Sequence, residues 1–211
     1  MKIALYGATG NIGRRILMEA LSRGHEVTAI VRDTKKIDTV NANLKVKVGD
    51  ILDKEDIAHK VKLHDVVISA YGPGNDDPKV VAKVYQSLNK GLKKAKVNRI
   101  ILVGGAGSLK VAPGLQLVDT PEFPAAWKPA ALAHREVLHF YQNENDLEWT
   151  YASPAALIEP GKRTGKFRWG ENQLVTDADG NSKISIEDFA VAIIDEAEQR
   201  KYIRKRFTVS Y

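Results

Sequence analysis

The residues whose spacing could do chemistry come early. Gly7-Ala8-Thr9-Gly10-Asn11-Ile12-Gly13 lies between an apolar, β-rich run at 3–6 and an amphipathic run at 12–23. A strand, a glycine-rich turn and a helix in that order present the first N–H groups of the helix to an incoming phosphate, with no side chains holding it off. Gly7 permits the tight turn, Gly10 the close approach of a pyrophosphate, and Gly13 close packing of helix on sheet; Thr9, Asn11 and Ile12 complete the cradle. The expected ligand is a dinucleotide.

The second strand carries the next signal. After the run at 26–31 the chain reads Arg32-Asp33. At this position an acidic residue binds the ribose 2′-OH of NAD, whereas an arginine accepts the 2′-phosphate of NADP. Arg32 comes first and pairs bidentately with phosphate, with Lys35 and Lys36 adding screened positive charge. NADPH is favoured over NADH; the rival arrangement leaves Arg32 solvated and makes Asp33 the ribose ligand.

Other constellations lead to no site. His25, His59, His64 and His139 are scattered, with no i,i+4 pair, so no metal is expected. Ser69, Ser108 and Ser153 lack the GxSxG context of a nucleophile elbow. Zero cysteines exclude disulfides, thiolate zinc sites and cysteine nucleophiles, and agree with a reducing, cytoplasmic setting. The chain opens directly on a strand-like run, without the pattern of an export signal. No stretch approaches the ~18 apolar residues that span a bilayer, so no membrane partner is expected. The formal charge of +6, crowded at Lys79, Lys83, Lys90, Lys93, Lys94, Lys96 and Arg99, is read as the solvated face of a helix and not as a nucleic-acid surface.

The elements that must position the turn follow from periodicity. Strand-like runs at 3–6, 26–31, 44–48, 65–70, 99–103 and 147–152 alternate with helical patterns at 12–23, 54–61, 79–95 and 129–144. Strand-helix-strand repeats with right-handed crossovers give an α/β fold with a doubly wound parallel sheet. Gly24 is placed to end the first helix in the left-handed conformation. Asp53 with Asp56, and Ser185 with Asp188, read as capping boxes, the second opening a last helix to about residue 200. A strand at 206–209 closes the fold. Residues 1–211 are expected to form a single dinucleotide-binding domain with a small C-terminal substrate-side extension. Segments at about 109–128 and 159–180, rich in proline, glycine and aromatic residues, follow strands of the second half and are expected to be substrate-side loops.

With these residues in view, the chain resembles the atypical short-chain dehydrogenase/reductases of the NmrA-like and NAD(P)H-binding group. The glycine turn, Val31-Arg32-Asp33, Gly49-Asp50-Ile51 and the segment from Ile184 to Asp188 carry the resemblance, which spans nearly the whole chain. Its nearest pattern is that of NADPH-dependent flavin reductases, including the biliverdin-IXβ reductase type. The resemblance implies a Rossmann fold, with Asp50 and Ile51 near the adenine and Ala70, Tyr71 and Gly72 near the adenine ribose and pyrophosphate. It also implies Gly104 and Gly105 beside the nicotinamide ribose, with Ser153 and Pro154 flanking the nicotinamide.

One departure bears on the reaction. Classical members of the group carry a Tyr and a Lys four residues apart on one helix, which protonate the substrate and hold the nicotinamide ribose. Here Ala130 and His134 fall at those places, within a residue or two of register. Hydride transfer to a flavin needs little acid chemistry, because water supplies the second proton. His134 is the candidate catalytic residue, an imidazole expected to titrate near neutral pH and donate a hydrogen bond. Trp127, Phe123 and Tyr71 are candidates to stack on a planar acceptor. The expected function is NADPH-dependent hydride transfer to a flavin, as substrate rather than prosthetic group, or to a quinone or similar acceptor. A non-catalytic NADP(H)-binding redox sensor is the alternative, and a nucleotide-sugar epimerase or dehydratase is disfavoured. The exposed lysines of the 79–95 helix argue for a monomer or weak dimer.

Overall fold

Apolar strands in a parallel sheet have two faces to bury, and this chain buries them beneath two layers of helices. The computed structural model of the protein describes residues 1–72 and 77–211. The first half runs β1 (Lys2–Tyr6), α1 (Asn11–Ser22), β2 (Glu26–Val31), β3 (Leu44–Val48), α2 (Lys54–Val61), β4 (Val66–Ser69), α3 (Val80–Ala95) and β5 (Arg99–Val103). The second half adds β6 (Lys110–Ala112), β7 (Leu115–Gln116), α4 (Lys128–Gln142), β8 (Glu148–Ser153), β9 (Leu157–Glu159), β10 (Arg168–Gly170), β11 (Lys183–Ser185), α5 (Ile186–Gln199) and β12 (Lys205–Ser210).

The main sheet has the order β10-β12-β8-β5-β4-β1-β2-β3. From β3 to β12 every pairing is parallel. One face is covered by α1 and α5, through Ile16, Leu17, Phe189 and Ile193; the other is covered by α2, α3 and α4, through Ile57, Leu88, Val137 and Tyr141. The doubly wound Rossmann-like sheet read from the sequence is therefore present. Chain direction across the sheet reverses between β1 and β4, and that switch point is where open α/β sheets form a crevice.

Three expectations need correction. Within 159–180, β10 adds an antiparallel edge strand to β12, and the strands flanking that segment, β9 and β11, pair in a separate small parallel sheet. Three-residue strands are too short to show alternation, and their partners lie far along the chain. The two segments expected to be loops are also joined to each other. Lys110 N donates to Asn172 O at 2.9 Å and Leu174 N to Lys110 O at 2.9 Å, while the buried Arg206 guanidinium reaches both Ser108 Oγ (2.8 Å) and Asn172 Oδ1 (2.9 Å).

The capping boxes are half made. Ser185 Oγ accepts from Asp188 N at 3.0 Å, but the Asp188 carboxylate turns away to accept from Thr164 N, Gly165 N and the Tyr211 hydroxyl. Asp53 accepts from Glu55 N, and Asp56 accepts from Asp50 N instead of closing the box. Gly24 does end α1 with φ +77, as its position predicts.

Candidate functional site

The turn after β1 is shaped by backbone crowding. Gly7 sits at φ +79, and a Cβ there would come within 2.4 Å of Ala70 O. A Cβ on Gly13 would lie 2.0 Å from Gly7 O. Gly10 differs: it closes the turn through Gly10 N donating to Gly7 O at 3.0 Å, but the nearest atom its Cβ would meet is 3.5 Å away. The space over Gly10 is open.

That open side faces an uncapped helix. α1 has Gly10 as N-cap with no side-chain hydrogen bond, and no acidic residue in its first turn. The contrast within the molecule is direct. α2 is capped by Asp53 and carries Glu55 and Asp56 in its first turn, while α5 is capped by Ser185 and carries Glu187 and Asp188. At those two helices the chain itself supplies the negative charge and acceptors that a helix start favours. At α1, as at α3 and α4, it does not; the start of α1 is distinguished by the open space over Gly10, where an anion would fit.

A cavity of about 430 Å³ opens beside this turn, at the carboxyl ends of β1, β2, β3 and β4. It brings together Gly7, Thr9, Gly10, Asn11, Ile12, Arg32, Asp50, Ile51, Ala70, Tyr71 and Gly72, all singled out from sequence. Gly13 is behind the turn, packed against Gly7, and does not line it. Val31 and Gly49, noted above only as carrying the resemblance, line it too, as do Tyr6, Ile30, Leu52, Val80 and Val84, which were missed. The last residues of β1 and β2 could have been found from the strand periodicity, and Val80 and Val84 from their i,i+4 spacing at the start of α3.

The polar groups around the cavity are already sorted. Arg32 is exposed at its rim. Asp33 does not line it: its carboxylate accepts from Lys35 N at 3.0 Å, capping a short turn that Arg14 Nη2 ties to α1 by donating to Lys36 O at 3.0 Å. Asp50 Oδ1 accepts from Leu52 N at 2.9 Å, and Asp50 N donates to Asp56 Oδ2 at 2.9 Å.

The remaining predicted residues form a second cluster outside the cavity lining. Gly104 N donates to Ala152 O at 2.8 Å, and Ser153 Oγ donates to Gly105 O at 3.0 Å. The Tyr151 hydroxyl donates to His134 O at 2.8 Å and accepts from Gly105 N at 3.3 Å. A Cβ on Gly104 would meet the Tyr151 ring at 2.0 Å, and one on Gly105 would meet His134 Cβ at 3.4 Å. Pro154 is held through its carbonyl, which accepts from Thr208 Oγ at 3.3 Å. Ala130 lies one turn before His134 on α4, so a tyrosine acid is absent from that place.

His134 does not behave as its residue type suggests. Burial pushes its pKa down to about 4, so the ring is neutral at physiological pH and does not titrate near 7. Its Nδ1 is buried with no hydrogen-bond partner among the described residues. Trp127 is 60% exposed just before α4, Phe123 is half-buried, and Tyr71 lines the cavity instead of the second cluster. Among the described residues, no group of three His, Cys, Asp or Glu side chains could hold a metal ion. No helix among them is long and apolar enough to cross a membrane.

A family model described as NAD(P)H-binding matches residues 7–197. A solved structure from Burkholderia pseudomallei, described provisionally as an exported protein, is 50% identical with a TM-score of 0.93, covering 100% of both chains. One from Bacteroides thetaiotaomicron, described provisionally as an epimerase, is 45% identical with a TM-score of 0.94, covering 100% of this chain and 96% of its own. A third, from Streptococcus pneumoniae, described provisionally as an NADH-flavin reductase, is 34% identical with a TM-score of 0.87, covering 100% of this chain and 99% of its own.

Proposed function

The chain belongs to the NAD(P)H-binding family, and from that premise we propose that it is an NADPH-dependent oxidoreductase passing hydride to a flavin, quinone or similar planar acceptor. The observation that carries this reading is the second cluster. Where a proton-donating tyrosine and its lysine would stand, there are an alanine and a half-buried, neutral imidazole. Such a site suits an acceptor that takes its proton from water.

In this reading the uncapped start of α1 holds the pyrophosphate, with Gly7 and Gly10 keeping side chains out of the way and Thr9, Asn11 and Ile12 completing the cradle. Arg32 takes the 2′-phosphate; the engagement of the Asp33 carboxylate with its own turn weighs against its binding the ribose. Asp50 and Ile51 flank the adenine, and Ala70, Tyr71 and Gly72 the adjoining ribose. Gly104, Gly105, Ser153 and Pro154 form the shelf for the nicotinamide half, where the unpartnered Nδ1 of His134 supplies a hydrogen bond to the ribose or the acceptor. The reduced nicotinamide, when bound, supplies a hydride, so that NADPH, oxidised flavin and a proton from water become NADP⁺ and dihydroflavin. The protein contributes position rather than acid-base chemistry. The absence of cysteine agrees with a cytoplasmic setting.

The test is NADPH oxidation by purified protein with FMN, riboflavin and small quinones added separately. Turnover with at least one of them is expected. Tight NADPH binding with no oxidation by any of them overturns the reductase reading in favour of an NADP(H) sensor. The satisfied polar groups of the second cluster would fit that role as well.

A further inference from the structure

Tyr6 ends β1, lines the cavity beside the turn and is 2% exposed, yet its hydroxyl has no hydrogen-bond partner among the described residues. Strand alternation sends Ala4 and Tyr6 to the face shared with Ile30, Ile57 and Val84. An isolated hydroxyl in such surroundings carries the desolvation cost of an unmade hydrogen bond, and a phenylalanine would fill the same space without that penalty. Burial, and behind it the Asp56 and Asp50 carboxylates, push the phenol pKa up, so the group keeps its proton at physiological pH. It is a donor lacking an acceptor among the described residues.

The cavity wall around it says what kind of acceptor fits. Ile51, Val80, Val84 and Tyr71 give apolar sides, and Asp50 adds one carboxylate, with Oδ1 committed to Leu52 N and Oδ2 without a hydrogen-bond partner among the described residues. A flat group presenting an amino donor beside a ring acceptor satisfies both the carboxylate and the phenol. Adenine has that edge, its exocyclic amine flanked by ring nitrogens. Guanine places a carbonyl oxygen where the amine would be, against the carboxylate.

We propose that the Tyr6 hydroxyl reads the base of the dinucleotide, donating to a ring nitrogen of adenine, and so acts as a specificity-determining residue. The inference rests on the cavity holding the adenine half of the cofactor. It differs from the glycine turn in kind, because the turn holds any pyrophosphate while this contact selects the base. It also gives the penalty of the unpartnered hydroxyl a reason, since the bound base relieves it.

The experiment compares wild type with Tyr6→Phe, using calorimetric titration with 2′,5′-ADP, fluorescence titration with NADPH, and melting without ligand. The variant is expected to bind both nucleotides about 5- to 15-fold more weakly, the loss of one hydrogen bond, while its ligand-free Tm stays level or rises. Unchanged affinity overturns the proposal, and so does a ligand-free Tm several degrees lower, which would mean that the hydroxyl is satisfied inside the protein. If wild type binds neither nucleotide, the reading of the cavity fails and this inference with it. Wild-type binding that Tyr6→Phe leaves intact removes the inference alone.

Discussion

Glycines shape both clusters of candidate residues, but for opposite purposes. At Gly10 the missing side chain leaves an opening beside an uncapped helix and a cavity. At Gly104 and Gly105 the missing side chains admit the protein itself: the Tyr151 ring lies against the first and His134 against the second. The first cluster leaves backbone donors for a ligand, whereas the second spends its hydroxyls on its own carbonyls, with His134 Nδ1 left over. The difference separates holding a dinucleotide from using it. Glycine spacing reports the former, and nothing in it reports the latter.

The largest effects should come from crowding. Gly13→Ala forces a methyl to 2.0 Å from Gly7 O, and Gly104→Ala forces one against the Tyr151 ring. Each is expected to lower stability by about 3 kcal/mol in chemical denaturation. If Gly104→Ala is tolerated, the second cluster is looser than its packing shows, and the contrast between the two regions weakens.

Gly10→Ala sharpens the contrast, because its Cβ meets no protein atom closer than 3.5 Å and the strain of positive φ is absent. Stability should barely change while NADPH affinity falls about 10- to 100-fold, the loss expected when a methyl holds a pyrophosphate off its donors. A parallel fall in melting temperature would show that the opening serves the fold and not a ligand.

Arg32→Ala is expected to weaken NADPH about 10-fold, the value of a charge-assisted contact at an exposed site, and to leave NADH unchanged. An unchanged NADPH/NADH ratio would return the ribose to Asp33. It would also bring this chain closer to the description of its Streptococcus pneumoniae neighbour.

The smallest effect concerns pH. The folded-state pKa of His134, about 4, lies below the unfolded value of 6.5, so the unfolded chain binds the extra proton. The stability tied to this ring is therefore present above pH 6.5 and lost as pH falls toward 4. His134→Gln should flatten that loss by on the order of 1 kcal/mol, allowing for the ring's partial exposure. Turnover of the wild type should show no titration from this ring between pH 5 and 8. An ionisation near pH 6.5 that disappears in the Gln variant would place the ring in water and restore it as an acid.

What was legible in the sequence was local. Gly7, Gly10 and Gly13 sit on one turn, Arg32 follows one strand, and Ser185 caps the helix that begins at the next residue; each relation spans a few residues of known geometry. The missed features join distant segments. The edge strand β10 is recognisable only once β12 stands beside it, and Tyr6 looks like any aromatic strand residue until Asp50, Val80 and Val84 close around it. His134 could be placed near Gly105 by analogy, but its charge state could not be read, because desolvation depends on everything packed against the ring.

The sequence by itself determined the alternation of strands and helices, the glycine turn between β1 and α1 and the basic residue that follows β2, since periodicity and turn chemistry act over one or two turns of chain. Only the tertiary structure decided that Asp33 is engaged elsewhere, that the Tyr6 hydroxyl has no partner among the described residues and that His134 is neutral. Those properties belong to the surroundings of a group and not to the group, and the surroundings are assembled from strands and helices far apart in the chain.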